Sequence, residues 1–273
     1  MIARYSVVIP TLNEEKYLPK LLSSLAVQTK KNFEVIVVDG SSKDKTVAVA
    51  KTFAKRLPKL NLIVSKVASL PLQRNMGAKK ARGEWFIFID ADSVVVPHFI
   101  ARIDEFIRKE KPGLFTTWLR PDSEKPGDAN IALLGNLMFE VGLSLNKPLP
   151  SGPLTAISRR AFETVHGYNE SQAFNEDVDI CYRIAKKHFP IRIIPETLYT
   201  WSLRRLRHQG MGKVIQQYVL ASLPILFFNR PLKKLPGYIM GGQLYNKKKK
   251  TIPSTTLRRY EKRLRKLLKD LFE

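Results

Sequence analysis

Residues 85–92 read Trp-Phe-Ile-Phe-Ile-Asp-Ala-Asp, an apolar run that delivers two carboxylates one residue apart. Side chains at i and i+2 share a face while the chain stays extended, so Asp90 and Asp92 are expected to act together at a strand end. Two hard oxygen ligands suit Mg²⁺ or Mn²⁺ bridging a pair of phosphates, where the ion takes up charge as a leaving group departs. Strand-end Asp residues also cap turns. The continuous apolar strand ahead of this pair favours the metal reading and points to chemistry on a diphosphate-activated compound.

A second acidic cluster, Asn175-Glu176-Asp177 with Asp179, lies in the later half of the chain. An alcohol attacking an activated carbon must shed its proton, and a nearby carboxylate can take it. Asp177 is the candidate base, with Glu176 and Asp179 as rivals, while Asn175-Glu176 is placed to cap a helix. Asp39 closes an apolar run and leads Gly40-Ser41-Ser42; it either accepts a hydrogen bond from a nucleobase N–H or caps the turn. Arg74 offers a planar guanidinium for a base or phosphate. Arg204, Arg205, Arg207 and His208 either neutralise a diphosphate, with His208 completing a metal shell, or belong to a basic membrane-facing surface.

These residues need a scaffold. Apolar β-branched runs predict strands at 5–9, stopped by Pro10, then at 33–38, 60–64 and 84–89. Helical spacing predicts helices at 14–27, 44–57 and 73–81 between them. Alternation of this kind is βαβ construction with a mostly parallel sheet covered by helices on both faces. Ligands bind beyond the C-terminal ends of such strands, where 10–14, 39–43 and 90–93 all fall. Further on, helices are expected at 98–111, 129–145 and 177–187, and strands at 114–119, 153–158 and 191–194, the last ending at Pro195.

The 273 residues suffice for a domain of about 200 residues plus an appendage. One cysteine excludes an intramolecular disulfide and a Cys-based zinc site, so Cys181 reads as a core thiol in a reduced compartment. No signal peptide is visible, which suggests a cytoplasmic location. The net charge is +23, and residues 202–273 hold 18 Lys and Arg against 3 Asp and Glu. Such a tail needs an anionic membrane, a nucleic acid or a phosphorylated substrate, unless it only solubilises the chain. The apolar run at 218–228 is too short to span a bilayer and is broken by Pro224. From Leu257 onward, a leucine stripe faces seven basic residues, which suits either a helix in an anionic membrane interface or one docked on its own domain or in a homodimer.

The motifs together carry a resemblance. Ser6-Val7-Val8-Ile9-Pro10-Thr11-Leu12-Asn13-Glu14, Val37-Val38-Asp39-Gly40-Ser41-Ser42 with Asp44 and Thr46, Arg74-Asn75-x-Gly77, Gly83-Glu84, Phe88-Ile89-Asp90-Ala91-Asp92 and Asn175-Glu176-Asp177-Val178-Asp179 follow one another in the order and spacing of the family 2 glycosyltransferases. The similarity runs from Tyr5 to about residue 210 and implies a GT-A fold, Rossmann-like with a mostly parallel central sheet. Residues 1–210 would form that domain, with a nucleotide-sugar half at about 1–95 and an acceptor half at about 96–210. Residues 211–273 would be a basic helical extension. By resemblance, Asp90 and Asp92 bind the metal and the nucleoside diphosphate sugar, Asp92 being the more direct ligand. Pro10, Thr11 and Glu14 line the nucleotide pocket, Asp39 meets the base, and Asp177 is the catalytic base of a single inverting displacement. Arg204-Arg205 resembles a basic segment that lies near the diphosphate in non-processive members. The Gln-x-x-Arg-Trp stretch and export helices of polymerising members are missing, which argues for transfer of one sugar at a time.

The donor expected is UDP- or GDP-linked, and the acceptor a polyprenyl phosphate or lipid-linked sugar at the cytoplasmic membrane face, with a soluble acceptor as the alternative. Nucleotidyl transfer would need a glycine-rich basic loop after the first strand, and residues 10–14 offer none. No specific nucleic-acid site is expected, because Tyr260 and Phe272 are the only aromatics among the basic residues of 247–273.

Overall fold

The computed structural model describes residues 3–147, 152–172 and 174–210. The expected basic extension at 211–273, with its apolar run and leucine stripe, lies outside the described residues.

Four parallel strands form the first half of the sheet. They are β1 (Tyr5–Thr11), β2 (Phe33–Asp39), β3 (Leu60–Val64) and β4 (Trp85–Ile89), with β1 between β2 and β4. The intervening helices are α1 (Leu18–Ala26), α2 (Thr46–Thr52) and α3 (Leu70–Lys80). The chain then adds β5 (Val94–Val95), α4 (Phe99–Glu110), β6 (Leu114–Pro121), α5 (Pro126–Ser144) and β7 (Leu154–Ser158). It continues through α6 (Arg159–Thr164), α7 (Glu176–Lys186), β8 (Ile191–Trp201) and α8 (Arg204–Gln209).

The eight-stranded sheet has the order β3-β2-β1-β4-β7-β6-β8-β5. β7 runs antiparallel to both β4 and β6, and β5 is antiparallel to β8. The sheet is therefore parallel in its first half and mixed beyond β4. Alternate residues of each strand feed two cores. On one face, Val7, Ile9, Val35 and Ile87 pack with Leu21, Leu22 and Leu25 of α1 and Ile103 of α4. On the other, Val8, Ile36 and Phe88 pack with Ala78 of α3, Phe162 of α6 and Ile180, Cys181 and Ile184 of α7. Cys181 is a buried free thiol, as expected of a core position. Gly77 lets α3 press on β1, since a Cβ there would lie 2.3 Å from a Val8 methyl.

Two strands outrun their expected ends at proline. β1 continues through Pro10 to Thr11, because β4 is in register only with Tyr5–Val8 and makes no ladder bond to the missing N–H. β8 passes Pro195 and reaches Trp201. Its register with β6 jumps from Ile194 opposite Thr117 to Thr197 opposite Trp118, so the proline sits in an irregularity where no N–H is required.

Candidate active site

β2 and β4 flank β1 on opposite sides, so the chain reverses direction across the sheet there, and the crevice beyond the C-terminal ends of β1, β2 and β4 is the ligand position of such sheets. Two loops are locked together at its rim. Asn13, with φ of 53°, donates its N–H to Ser42 Oγ at 2.8 Å, and its Oδ1 accepts from Lys43 N at 2.8 Å. Glu14 N donates to Thr46 Oγ1 at 2.7 Å. Asp39 accepts from Thr11 Oγ1 at 3.0 Å and from Ser42 N at 2.8 Å, so it closes the turn after β2. Gln73, which the sequence did not single out, donates to the carbonyls of Thr11 and Val38 at 2.9 and 2.7 Å and stitches β1 to β2.

Asp90 and Asp92 follow β4, but the chain does not stay extended as expected. Ser93 N donates to the Asp90 carbonyl at 3.1 Å, folding the motif into a turn. Each carboxylate meets an arginine from elsewhere. Arg204 Nε stands 2.9 Å from Asp92 Oδ2 as an ion-pair contact outside hydrogen-bond geometry. The same guanidinium donates two bonds to the buried Glu14 carboxylate and lies 4.3 Å from the Tyr17 ring centre. α8, which carries Arg204 and Arg205, is anchored by Asp122, which accepts from Leu203 N at 3.0 Å and pairs with Arg207.

Arg74 has another position from that expected of a ligand-contacting side chain. It is 1% exposed, with Nη1 donating to Glu176 Oε1 at 2.9 Å and Nη2 to Asp90 Oδ1 at 3.4 Å, and with Tyr168 stacked 5.1 Å away. It therefore joins the acidic turn after β4 to the start of α7. The three acids there are thereby distinguished. Glu176 is bound to Arg74, and Asp179 is paired to Arg183, whose guanidinium also holds the Val165 and Gly167 carbonyls. Asp177 accepts a hydrogen bond from Val178 N at 2.9 Å and packs against Gly152, where a Cβ would lie 2.8 Å from its Oδ2. Asn175, expected to cap α7, takes a left-handed φ of 56° and makes no side-chain cap bond.

The electrostatics of the crevice are one-sided. Burial raises Asp90 to about 7 against the pull of Arg74, and the charges of Asp92, Glu176 and Asp177 push the same way. Burial likewise raises Glu14 to about 7, with Arg204 opposing. Asp92 rises through burial, opposed mainly by Arg204. Burial and the neighbouring Glu176 lift Asp177 above the ordinary carboxylate range. Burial alone would weaken the charge of Arg74 and Arg204, yet the surrounding acids outweigh it and hold both protonated.

Four carboxylates held above their ordinary range beside two arginines make a site short of positive charge. Its oxygen donors are of the kind Mg²⁺ and Mn²⁺ prefer. Among the described residues no three His, Cys, Asp or Glu side chains gather as a ready ligand set, so His208 does not complete one with Asp90 and Asp92. Mg²⁺ commonly uses one or two protein carboxylates together with substrate phosphates, and Asp90 and Asp92 fit that mode. Arg74 Nε and Asn175 Nδ2 are buried without a hydrogen-bond partner among the described residues, as polar groups of a binding site can be.

Residues 6–165 match the family description Glycosyl transferase family 2. The poly(ribitol-phosphate) beta-N-acetylglucosaminyltransferase TarS of Staphylococcus aureus is 40% identical over 98 residues, which are 34% of this chain and 17% of TarS. A PGL/p-HBAD biosynthesis glycosyltransferase of Mycobacterium tuberculosis is 37% identical over 111 residues, 40% of this chain and 43% of that protein. The matches thus span less than half the length of these relatives. In fold, the chain resembles S. aureus TarS 1-349 in complex with UDP, with TM-score 0.60 and 18% identity over 83% of this chain and 73% of that one. It also resembles the mannosyltransferase PcManGT of Pyrobaculum calidifontis in complex with GDP-Man and Mn²⁺, with TM-score 0.59 and 21% identity over 79% and 65% of the two chains. The family description covers more than half of the chain, and the mixed sheet flanked by helices agrees with it: this chain belongs to glycosyl transferase family 2 and has the GT-A fold.

Proposed function

We propose that this chain transfers one sugar at a time, with inversion, from a UDP- or GDP-linked donor to a hydroxyl or phosphate of a membrane lipid or lipid-linked glycan. The observation that carries the reading is the convergence of Asp90, Asp92, Arg74, Arg204 and Asp177 at the end of β4, with the loops after β1 and β2 alongside. In this reading, residues 1–95 bind the donor, residues 96–210 supply the acceptor side, and residues 211–273 meet the anionic cytoplasmic face of the membrane. UDP and UDP-GlcNAc in TarS structures, and GDP-Man with Mn²⁺ in PcManGT, support a nucleoside diphosphate sugar and a divalent cation.

Asp90 and Asp92 are the residues that would hold Mg²⁺ or Mn²⁺. Bound there, the ion would offset the negative charge that collects on the leaving diphosphate. Pro10, Thr11 and Glu14 form the wall of the nucleotide pocket, and Asp39 faces the base. Arg204 and Arg205 bring positive charge to the diphosphate from the opposite side. Arg74 is a positioning residue that fixes Asp90 relative to Glu176 and hence Asp177.

The acceptor oxygen forms its bond to the anomeric carbon as the bond from that carbon to the diphosphate oxygen breaks. The electron pair leaves with the nucleoside diphosphate, and the acceptor proton passes to Asp177. A raised carboxylate is the stronger base for that proton. The missing side chain of Gly152 leaves room for the Asp177 carboxylate itself.

The test is transfer of labelled sugar from UDP- and GDP-sugars into a polyprenyl-phosphate and membrane-lipid extract. Asp177→Asn should lower transfer by about 10²-fold or more, the range of general-base contributions, while donor binding is kept. Equal transfer by the variant would remove Asp177 from the reaction.

A further inference from the structure

α5 is apolar on both faces, with Ile131 and Phe139 packed toward the domain. Its inward face carries Ala132, Asn136, which clamps both backbone groups of Leu119 at 3.0 and 2.9 Å, and Glu140, which accepts from Trp118 Nε1 at 2.8 Å. Its outward face carries Leu133, Leu134, Leu137, Met138, Val141 and, just past its end, Leu145, each between 42% and 69% exposed. A water-facing helix normally turns its polar residues out and its leucines in. A contiguous apolar face on an otherwise charged protein marks a contact surface.

Charge identifies the partner. From Ala129 to Asn146 the only ionisable residue is Glu140, which is turned inward to Trp118. The flanks are charge-balanced, with Arg120, Lys125 and Lys147 offset by Asp122, Glu124 and Asp128. The chain as a whole carries +23, so a second copy would be repelled and an anionic surface attracted. An apolar stripe without outward charge, on a strongly basic chain, suits a helix lying in the plane of an anionic bilayer. Among the described residues no helix is long and apolar enough to cross a membrane.

We propose that the outer face of α5 is a membrane-docking surface of the folded domain, lying in the headgroup region of anionic lipid. It acts separately from any contact made by residues 211–273. The docking does not rest on the glycosyl-transfer reading.

The experiment uses the full chain, sedimented with vesicles of phosphatidylcholine with and without phosphatidylglycerol. The triple variant Leu133→Gln, Leu137→Gln, Val141→Gln should bind the anionic vesicles at least about tenfold more weakly than the wild type. The helical circular dichroism and the donor-induced thermal shift should stay unchanged. In parallel, Leu137→Cys carrying an environment-sensitive fluorophore should shift to the blue only when anionic vesicles are added. Cys181 is buried and leaves this label alone. Wild-type binding by the triple variant would overturn the proposal and leave the tail as the sole anchor. So would a label already blue-shifted without vesicles, with light scattering then deciding between a second copy and residues 211–273 as the cover. Loss of the donor-induced shift in the wild type would count against the functional reading and leave membrane docking standing.

Discussion

Removing Arg74 separates a buried ionic bridge from the surface pairs elsewhere in this basic protein. Arg74 is 1% exposed, and its partner Glu176 has 11% of its side chain exposed at 2.9 Å. Little of Glu176 is open to water that could replace the guanidinium, so Arg74→Met leaves a carboxylate with most of its desolvation uncompensated. Breaking such a pair costs about 3–5 kcal/mol, against ~0–1 kcal/mol for an exposed one. The second contact, to Asp90 at 3.4 Å, is longer than an ordinary hydrogen bond and adds little. For a domain of about 200 residues the loss corresponds to a drop in Tm of about 6–20 °C. Met keeps most of the volume, so the effect is electrostatic. Arg74→Met with Glu176→Gln should recover most of it, because the stranded charge is gone. Urea unfolding of the wild type, both single variants and the double completes the cycle. A single-variant cost under about 1 kcal/mol, or simple additivity in the double, would refute the bridge as a source of stability.

Other consequences follow from the same geometry. Asp104 is buried, which alone would raise it, yet hydrogen bonds from Lys30 and Tyr5 and the charges of Lys30 and Arg4 hold it below its ordinary value. Its stabilisation is therefore complete above about pH 4, the unfolded value, and is lost as pH falls through the depressed one. Asp104→Asn should cost about 1–3 kcal/mol at pH 7 and flatten the acid limb of a urea-melt pH series. Asp90 has the opposite sign, because its folded pKa of about 7 lies above the unfolded value. Its contribution is full below about pH 4 and is lost as pH rises through about 7, so with chelator present Asp90→Asn should gain Tm over the wild type at pH 8 and none at pH 4. Gly152→Ala would place a Cβ 2.8 Å from Asp177 Oδ2 and displace that carboxylate. Transfer should fall by about 10²-fold with little change in the melting curve; a normal rate would show that the carboxylate's position is not demanding.

Local periodicity carried most of the elements. The strands at Phe33–Asp39 and Trp85–Ile89 and the helices at Phe99–Glu110 and Glu176–Lys186 lie within one or two residues of what their apolar spacing predicts. Proline misled twice, at Pro10 and Pro195, because whether a strand tolerates it depends on whether a neighbour needs its N–H, which is a tertiary fact. The antiparallel insertion of β7 between β4 and β6 was illegible for the same reason.

In the site, the acids announced themselves by following apolar strands, but their partners did not. Arg74 and Glu176 are 102 positions apart, and Arg204 and Glu14 are 190 apart. Tyr17, Asp122, Gly152 and Tyr168 carry no local signal of their places around these groups. Asp39 shows both faces of a short motif: its turn-capping bonds are visible, and its contact to a nucleobase stays a proposal.

In the proposed function, Asp90 and Asp92 hold the donor's diphosphate through a divalent cation. Thermal shifts of the wild type and Asp92→Ala with UDP-, GDP- and dTDP-sugars, each with Mn²⁺ or with chelator, test it most directly. The expected result is stabilisation by sugars of one base only, dependent on Mn²⁺ and abolished in Asp92→Ala. Full stabilisation of Asp92→Ala by the same donor, or equal shifts with chelator present, would contradict it.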